Sequence, residues 1–253
     1  MCGLAGFCEF NGLTNDAEAI CEAMIGTLEH RGPDDKGIWL NREHGIALGH
    51  RRLSVQDLSQ FGHQPMTSPS GRYVLIYNGE IYNFRDLQTE LEKLGYKFNG
   101  HSDTEILLAS IEEWGLASAL SKSTGMFALA LWDKRERMLS LARDRIGEKP
   151  LYYGWQGNTL LFGSELKAMR IHPKWEGEID RNALTLYMRH NYIPAPHSIH
   201  RNIYKLLPGS ILQIPDTANP GELPSLSFYW DIRKVVQHGI CNPVNYSDEE
   251  AID

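Results

Sequence analysis

Apolar positions along the chain switch between a period of two and a period of about 3.6, and the switches mark out its elements. Residues 2–10 read as a strand with Leu4, Cys8 and Phe10 on one face. Residues 15–29 place Ala17, Ile20, Met24 and Leu28 at helical spacing behind Asp16, a candidate cap. Arg31-Gly32-Pro33-Asp34-Asp35 is a turn, and strands are expected at 37–41, 45–50 and near 73–77. Asn78-Gly79 is the strongest tight-turn dipeptide of the chain and is expected to end the third of these strands. Asn83 then caps a helix that buries Leu87, Leu91 and Leu94 and stops at Gly95. Ser102 and Glu105 form a capping box that opens a helix carrying Ile106, Leu107, Ser110 and Trp114.

The second half begins with two hairpins. One runs over 125–143, with Met126 to Trp132 as the first strand, Asp133 to Arg137 as the turn and Met138 to Ala142 as the return. The other spans 151–163 across Gln156-Gly157-Asn158. Many strands, two or three helices and few βαβ alternations indicate an α+β fold with antiparallel sheets. Six of the 12 prolines fall between 190 and 225, which reads as a linker with short strands at 203–206 and 210–214. Ser247-Asp248-Glu249-Glu250 is a second capping box that announces a helix three residues before the last residue, Asp253.

Composition narrows the class. The 253 residues, 42% hydrophobic and 23% charged, match a globular chain of one to two domains and exclude a disordered, collagen-like or coiled-coil protein. A net charge of −7 with no Lys/Arg cluster argues against nucleic-acid binding. No apolar run reaches the roughly 18–20 residues of a membrane span, and the N-terminus lacks a basic leader region, so no membrane association and a cytoplasmic setting are expected. The four cysteines, Cys2, Cys8, Cys21 and Cys241, form neither a disulfide framework nor a C-x-x-C metal pair. The 10 histidines show no metal spacing, and His50 and His101 are read as structural. Neither G-x-x-x-x-G-K-[ST] nor G-x-G-x-x-G occurs.

Four segments can carry chemistry. Removal of Met1 would leave Cys2 with a thiol and a free α-amine on one residue, and an α-amine titrating near ~7.7–8.0 can serve as general base to the thiol. Cys2 taken alone is also readable as a small buried residue. Asn78-Gly79 can supply a side-chain amide and an adjacent backbone N–H to an oxyanion, or be a plain turn. Arg52 can hold a carboxylate bidentately or form a surface ion pair. Glu80 and Asp103 can accept from an ammonium group, although Asp103 also suits the first turn of a helix. One cation with two anions complements an α-amino acid zwitterion.

Taken together, Met1-Cys2-Gly3-Leu4-Ala5-Gly6, His30-Arg31-Gly32-Pro33-Asp34, Arg52-Leu53-Ser54, Asn78-Gly79-Glu80-Ile81-Tyr82-Asn83 and Ser102-Asp103-Thr104-Glu105 resemble, in this order, the class II glutamine amidotransferases. Arg143-Asp144-Arg145-Ile146-Gly147-Glu148-Lys149-Pro150-Leu151-Tyr152-Tyr153 and Ser164-Glu165-Leu166-Lys167-Ala168 continue the likeness, which covers roughly 2–215 and is nearest to the glutamine-hydrolysing asparagine synthase branch. The resemblance implies an N-terminal-nucleophile hydrolase fold, a four-layer α/β/β/α arrangement with two antiparallel sheets. It implies hydrolysis of L-glutamine through a thioester on Cys2, with Asn78 and Gly79 as oxyanion hole. Arg52 would take the α-carboxylate and Glu80 with Asp103 the α-amine, while the backbone of Leu53, Ser54, Val55 and Gln56 lines the pocket. Family members commonly carry an apolar residue where Gln56 stands, so the resemblance implies no side-chain role there.

The same resemblance implies a synthetase domain as partner of the glutaminase part. That domain would use ATP and magnesium to adenylate aspartate, and its Ser-Gly-Gly-x-Asp-Ser loop is not in this sequence. The implied division is a glutaminase domain over 1–190, a proline-rich linker over 191–246 and the start of a truncated synthetase domain at 247–253, with no cofactor or metal in this chain. Homodimerisation stays open. Two alternatives also remain: a glutaminase feeding another acceptor, such as a sugar phosphate or a cell-surface or secondary-metabolite carboxylate, and a non-catalytic scaffold of the same fold.

Overall fold

The computed structural model describes residues 1–222 and 224–243. In chain order the elements are β1 (Gly3–Cys8), α1 (Ala17–Gly26), β2 (Asp35–Asn41), β3 (Ile46–Arg52), a 3-10 turn at Gln60–Gly62, β4 (Met66–Thr67) and β5 (Tyr73–Ile81). Then come α2 (Phe84–Lys93), α3 (Asp103–Trp114), α4 (Leu116–Lys122), β6 (Gly125–Asp133), β7 (Met138–Arg143), β8 (Tyr152–Gln156), β9 (Thr159–Gly163) and α5 (Leu166–Met169). The remaining elements are α6 (Arg181–His190), β10 (Ile203–Lys205), β11 (Ser210–Pro215), β12 (Ser225–Phe228) and α7 (Ile232–Cys241). The capping box at Ser247 and the domain start expected at 247–253 lie outside the described residues.

Two six-stranded antiparallel sheets form, in the orders β10-β8-β9-β1-β3-β2 and β12-β11-β7-β6-β5-β4. They pack face to face. Leu4, Ile46, Leu48 and Phe162 of the first meet Ile76, Ala130, Trp132 and Leu141 of the second in one buried cluster. The outer face of the first sheet, with Ala5, Phe7, Ala47 and Leu161, is covered by Cys21, Met24 and Ile25 of α1 and by Met169 of α5. The outer face of the second, with Leu75, Tyr77, Leu129 and Leu131, is covered by α2, α3 and α4 through Leu87, Leu91, Ile106, Leu107 and Leu120. The result is four layers, α/β/β/α. Both faces of each central strand are buried, which is why 3–8 reads as a continuous apolar run. Fully burying each large side chain contributes about 1.5–3 kcal/mol.

Both predicted hairpins are present, and Asp133 faces Met138 across the first while Gln156 faces Thr159 across the second. The strands expected at 203–206 and 210–214 are β10 and β11. The proline-rich stretch thus contributes a strand to each sheet, with Leu206, Leu212 and Ile214 in the inter-sheet core.

Five local expectations are corrected. Asn78-Gly79 is not a turn: both lie inside β5, opposite Ala128 and Phe127 of β6. A glycine is needed there because a Cβ would overlap the Met126 carbonyl and lie 2.6 Å from Phe127 Cβ. Asp16 makes no side-chain cap to α1. Asn83 precedes α2 without capping it; its Nδ2 donates to Lys122 O at 3.0 Å and its Oδ1 accepts from Thr124 N at 2.8 Å, tying the start of α2 to the α4–β6 connection. Leu94 is exposed, at the end of the helix that Gly95 stops with φ of +97°. The box at α3 is half made. Ser102 Oγ accepts from Glu105 N at 3.3 Å, but the Glu105 carboxylate turns back to the N–H groups of Asn99 and Gly100.

Candidate active site

Cys2 precedes β1, a central strand, so the backbone leading into it is held on both sides by sheet pairing. The Leu53 N–H donates to Cys2 Sγ at 3.4 Å, and the thiol lies 3.7 Å from Leu53 O. Arg31 Nε donates to Cys2 O at 2.9 Å while Arg31 Nη1 pairs with Glu165 at 2.8 Å. Glu165 also holds His30 at 3.0 Å and Lys167 at 3.2 Å. The motifs around residues 30 and 165 therefore meet as one clamp on the start of the chain. Burial raises the Cys2 thiol above its ordinary pKa, and the Leu53 N–H works against that rise by favouring the thiolate.

A cavity of about 250 Å³ opens at Cys2. Of the residues expected from sequence, it is lined by Cys2, Arg52, Leu53, Val55, Gln56, Asn78, Gly79, Glu80 and Asp103. Ser54 is the exception: it faces a neighbouring cleft with His63, and its N–H donates to Asp34 Oδ2 at 2.7 Å. Nine of the ten predicted residues thus share one wall system, although they come from four separate segments.

Asn78 is buried in β5, and its Nδ2 has no acceptor among the described residues. A buried donor left unpaired costs about 1–3 kcal/mol, so its place on a cavity wall asks for a ligand oxygen. Gly79 beside it leaves the backbone bare of any Cβ.

Arg52 ends β3. Its guanidinium donates to the carbonyls of Ser59, at 2.9 Å, and Asp57. Gly62 packs against it with no room for a Cβ. Opposite stands Asp103, the first residue of α3, whose Oδ2 accepts the Tyr77 hydroxyl at 2.8 Å and the Ile81 N–H at 2.9 Å. Burial raises the Asp103 carboxyl, against the pull of these donors. Glu80 Oε1 accepts from Gln56 Nε2 at 2.8 Å, so the Gln56 side chain does have a partner on the rim.

Sequence reasoning missed several cavity residues. Gln64 accepts from Tyr77 N at 2.6 Å and donates to Thr104 Oγ1 at 3.4 Å. Asp57 accepts from His101 N at 2.9 Å and Ser59 N at 2.7 Å, joining the loop that holds Arg52 to the segment before α3. Lys149 lines the wall beside residue 1. Asp57 and Gln64 carry no local signal, since their role is set by long-range contacts; Lys149 lay in a quoted motif without an assigned role. His50 and His101 are structural as read: His50 is buried with Nε2 at 2.9 Å from Tyr77 O, and His101 contributes its backbone. Among the described residues no group of three or more His, Cys, Asp or Glu could hold a metal ion, and no helix is long and apolar enough to cross a membrane.

Two face-to-face antiparallel sheets between helical layers, with a cysteine leading into a central strand, define an N-terminal-nucleophile hydrolase fold. The chain belongs to the class II glutamine amidotransferases, an enzyme family whose glutamine amidotransferase domain model matches residues 1–230. It is 42% identical over 187 residues to asparagine synthetase [glutamine-hydrolyzing] 3 of Bacillus subtilis, covering 73% of this chain and 30% of that protein. It is 40% identical over 219 residues to asparagine synthetase [glutamine-hydrolyzing] 1 of the same organism, covering 85% and 34%. The chain spans about a third of the length of these curated relatives. Among solved structures, glutamine phosphoribosylpyrophosphate amidotransferase from B. subtilis matches with a TM-score of 0.65 over 90% of this chain and 49% of that one, at 20% identity. That likeness concerns the fold.

Proposed function

We propose that this chain hydrolyses L-glutamine to L-glutamate and ammonia through a γ-glutamyl thioester on Cys2. The ammonia would be delivered to an ATP-dependent synthetase part of a longer protein that makes asparagine from aspartate in the cytoplasm. The observation that carries the hydrolytic reading is the unpaired, buried Asn78 Nδ2 on the cavity wall that also holds Cys2. The acceptor rests on the names of the relatives, of whose length this chain spans about a third.

Removal of Met1 frees the Cys2 α-amine. The amine takes the thiol proton, directly or through one water, and the thiolate attacks the side-chain carbonyl carbon of glutamine. Asn78 Nδ2 and the Gly79 N–H hold the oxyanion. As the tetrahedral adduct collapses, the C–N bond breaks and the proton on the amine passes to the leaving nitrogen, releasing ammonia. The amine then deprotonates a water that attacks the thioester, and the C–S bond breaks to give glutamate and the thiol. Arg52 binds the substrate α-carboxylate, and Glu80 with Asp103 binds its α-amine, so the γ-amide is presented to Sγ.

The test is glutamate release from glutamine by the purified chain, after intact mass has established loss of Met1. Release is expected in the parent and absent in Cys2→Ala. Equal release by both would refute the mechanism.

A further inference from the structure

The segment 143–149 is built far more firmly than a surface connection requires. Asp144 is fully buried, and its Oδ1 accepts from the N–H groups of Ile146 at 3.2 Å, Gly147 at 2.6 Å and Glu148 at 2.8 Å. Its Oδ2 accepts from Lys149 N at 2.9 Å and from Phe127 N at 3.2 Å, in the strand opposite Gly79. Arg143 donates to the carbonyls of Lys149 at 2.6 Å, Gly147 at 2.5 Å and Leu206 at 2.7 Å. Two charged side chains are thus spent on the backbone of one short loop. The side chain this loop sends into the Cys2 cavity is Lys149, which is only 5% exposed.

The Lys149 ammonium forms no ion pair among the described residues. Its Nζ lies 3.3 Å from Met1 Sδ, a weak acceptor. Burying an unneutralised ammonium is costly, so stability does not explain it. The other cation at the chain start, Arg31, is neutralised by Glu165. Lys149 therefore supplies the uncompensated positive charge next to the residue that must leave.

We propose that Lys149 is a positioning residue that keeps the Cys2 α-amine in its free-base form, so that the amine can accept the thiol proton at neutral pH. This rests on the reading of Cys2 as an N-terminal nucleophile. The electrostatic setting agrees. Burial depresses the α-amine of Met1, which stands one residue ahead of Cys2, and Arg31 and Lys149 depress it further, against the opposing pull of Cys2 and Asp34. The other charged groups on this cavity are Arg52 from β3, Asp57 from the loop after β3, Glu80 from β5 and Asp103 from α3.

The experiment compares the parent with Lys149→Met and Lys149→Arg, all with Met1 shown to be removed by intact mass. Two profiles are read against pH: kcat/KM for glutamine, and the rate of Cys2 alkylation by iodoacetamide, which needs no turnover. In Lys149→Met both acid limbs are expected to move up by about one pH unit, with activity regained at alkaline pH. In Lys149→Arg both stay near the parent. Superimposable profiles in a folded Lys149→Met, or equal shifts in Met and Arg variants, would overturn the proposal. Should Lys149→Met fail to fold, Lys149→Gln replaces it under the same criteria. Failure of the underlying reading looks different: Cys2→Ala would retain activity, whatever Lys149 does.

Discussion

The Tyr77 hydroxyl donates to Asp103 Oδ2 at 2.8 Å, so an outward-facing side chain of β5 fixes the carboxylate at the start of α3. Asn78, the next residue of that strand, turns the other way and lines the cavity. One strand thereby sets both the proposed oxyanion donor and, through α3, the anion proposed for the substrate amine. The alternation of side chains along a strand is what allows this.

Tyr77→Phe removes the hydroxyl and leaves the ring in place. The expected result is a five- to tenfold rise in KM for glutamine, from about 1 kcal/mol of lost positioning, with kcat changed less than twofold. Thermal unfolding should show a loss of about 1 kcal/mol. An unchanged KM would separate Asp103 from amine binding.

Arg52 is held by carbonyls rather than carboxylates, so its charge stays available to the substrate. Arg52→Ala should raise KM about a hundredfold with a smaller change in kcat, since a charge-assisted bond to the carboxylate is lost in ground and transition states alike. Asp57→Ala should give an intermediate KM effect, because Asp57 ties the Arg52 loop to the backbone ahead of α3. Steady-state kinetics over a wide glutamine range checks both.

These two relationships also mark the limit of what the sequence disclosed. The hairpins at 125–143 and 151–163, the helix opening at Ser102 and the nine cavity residues were legible because periodicity, caps and ordered motifs are local signals. Asn78-Gly79 misled because the dipeptide rule assumes a turn that supplies positive φ. Here the glycine serves close strand packing against Met126 and Phe127, which no local rule encodes. Asn83 and Glu105 were read as helix caps, yet one staples a distant connection and the other bonds a preceding loop. Asp57, Gln64 and Tyr77 entered the site only through contacts across 13 to 44 residues of sequence.

His50 offers a prediction on stability. Burial pushes its imidazole down to about 4, and its Nδ1 has no partner among the described residues while Nε2–H donates to Tyr77 O. The folded-state pKa lies below the ordinary 6.5, so the unfolded chain binds the proton more readily. The contribution of His50 is full above pH ~6.5 and is lost as pH falls towards ~4, by up to about 3 kcal/mol. Urea unfolding at pH 7 and pH 5 should show the decline. His50→Gln should be less stable at pH 7 but should flatten the slope between the two.

Asn78 and Gly79 are neighbours in β5, yet substitutions there should fail in different ways. Asn78→Ala deletes a buried donor that has no partner among the described residues, so folding should be unaffected or slightly improved, because a desolvated amide is removed. Its cost should fall on kcat, by about 10²–10³-fold, with KM for glutamine within a few fold of the parent, because the bond it makes strengthens as the oxyanion forms. Gly79→Ala instead drives a methyl group into the Met126 carbonyl and Phe127 of the paired strand. It should lower stability by about 1–3 kcal/mol as β5 and β6 part, with loss of activity following from the distorted wall. Thermal unfolding alongside kinetics distinguishes the two. A normal melting temperature in Gly79→Ala would mean that β5 and β6 have more freedom to separate than their register implies, and a strongly raised KM in Asn78→Ala would move Asn78 from the oxyanion to substrate binding.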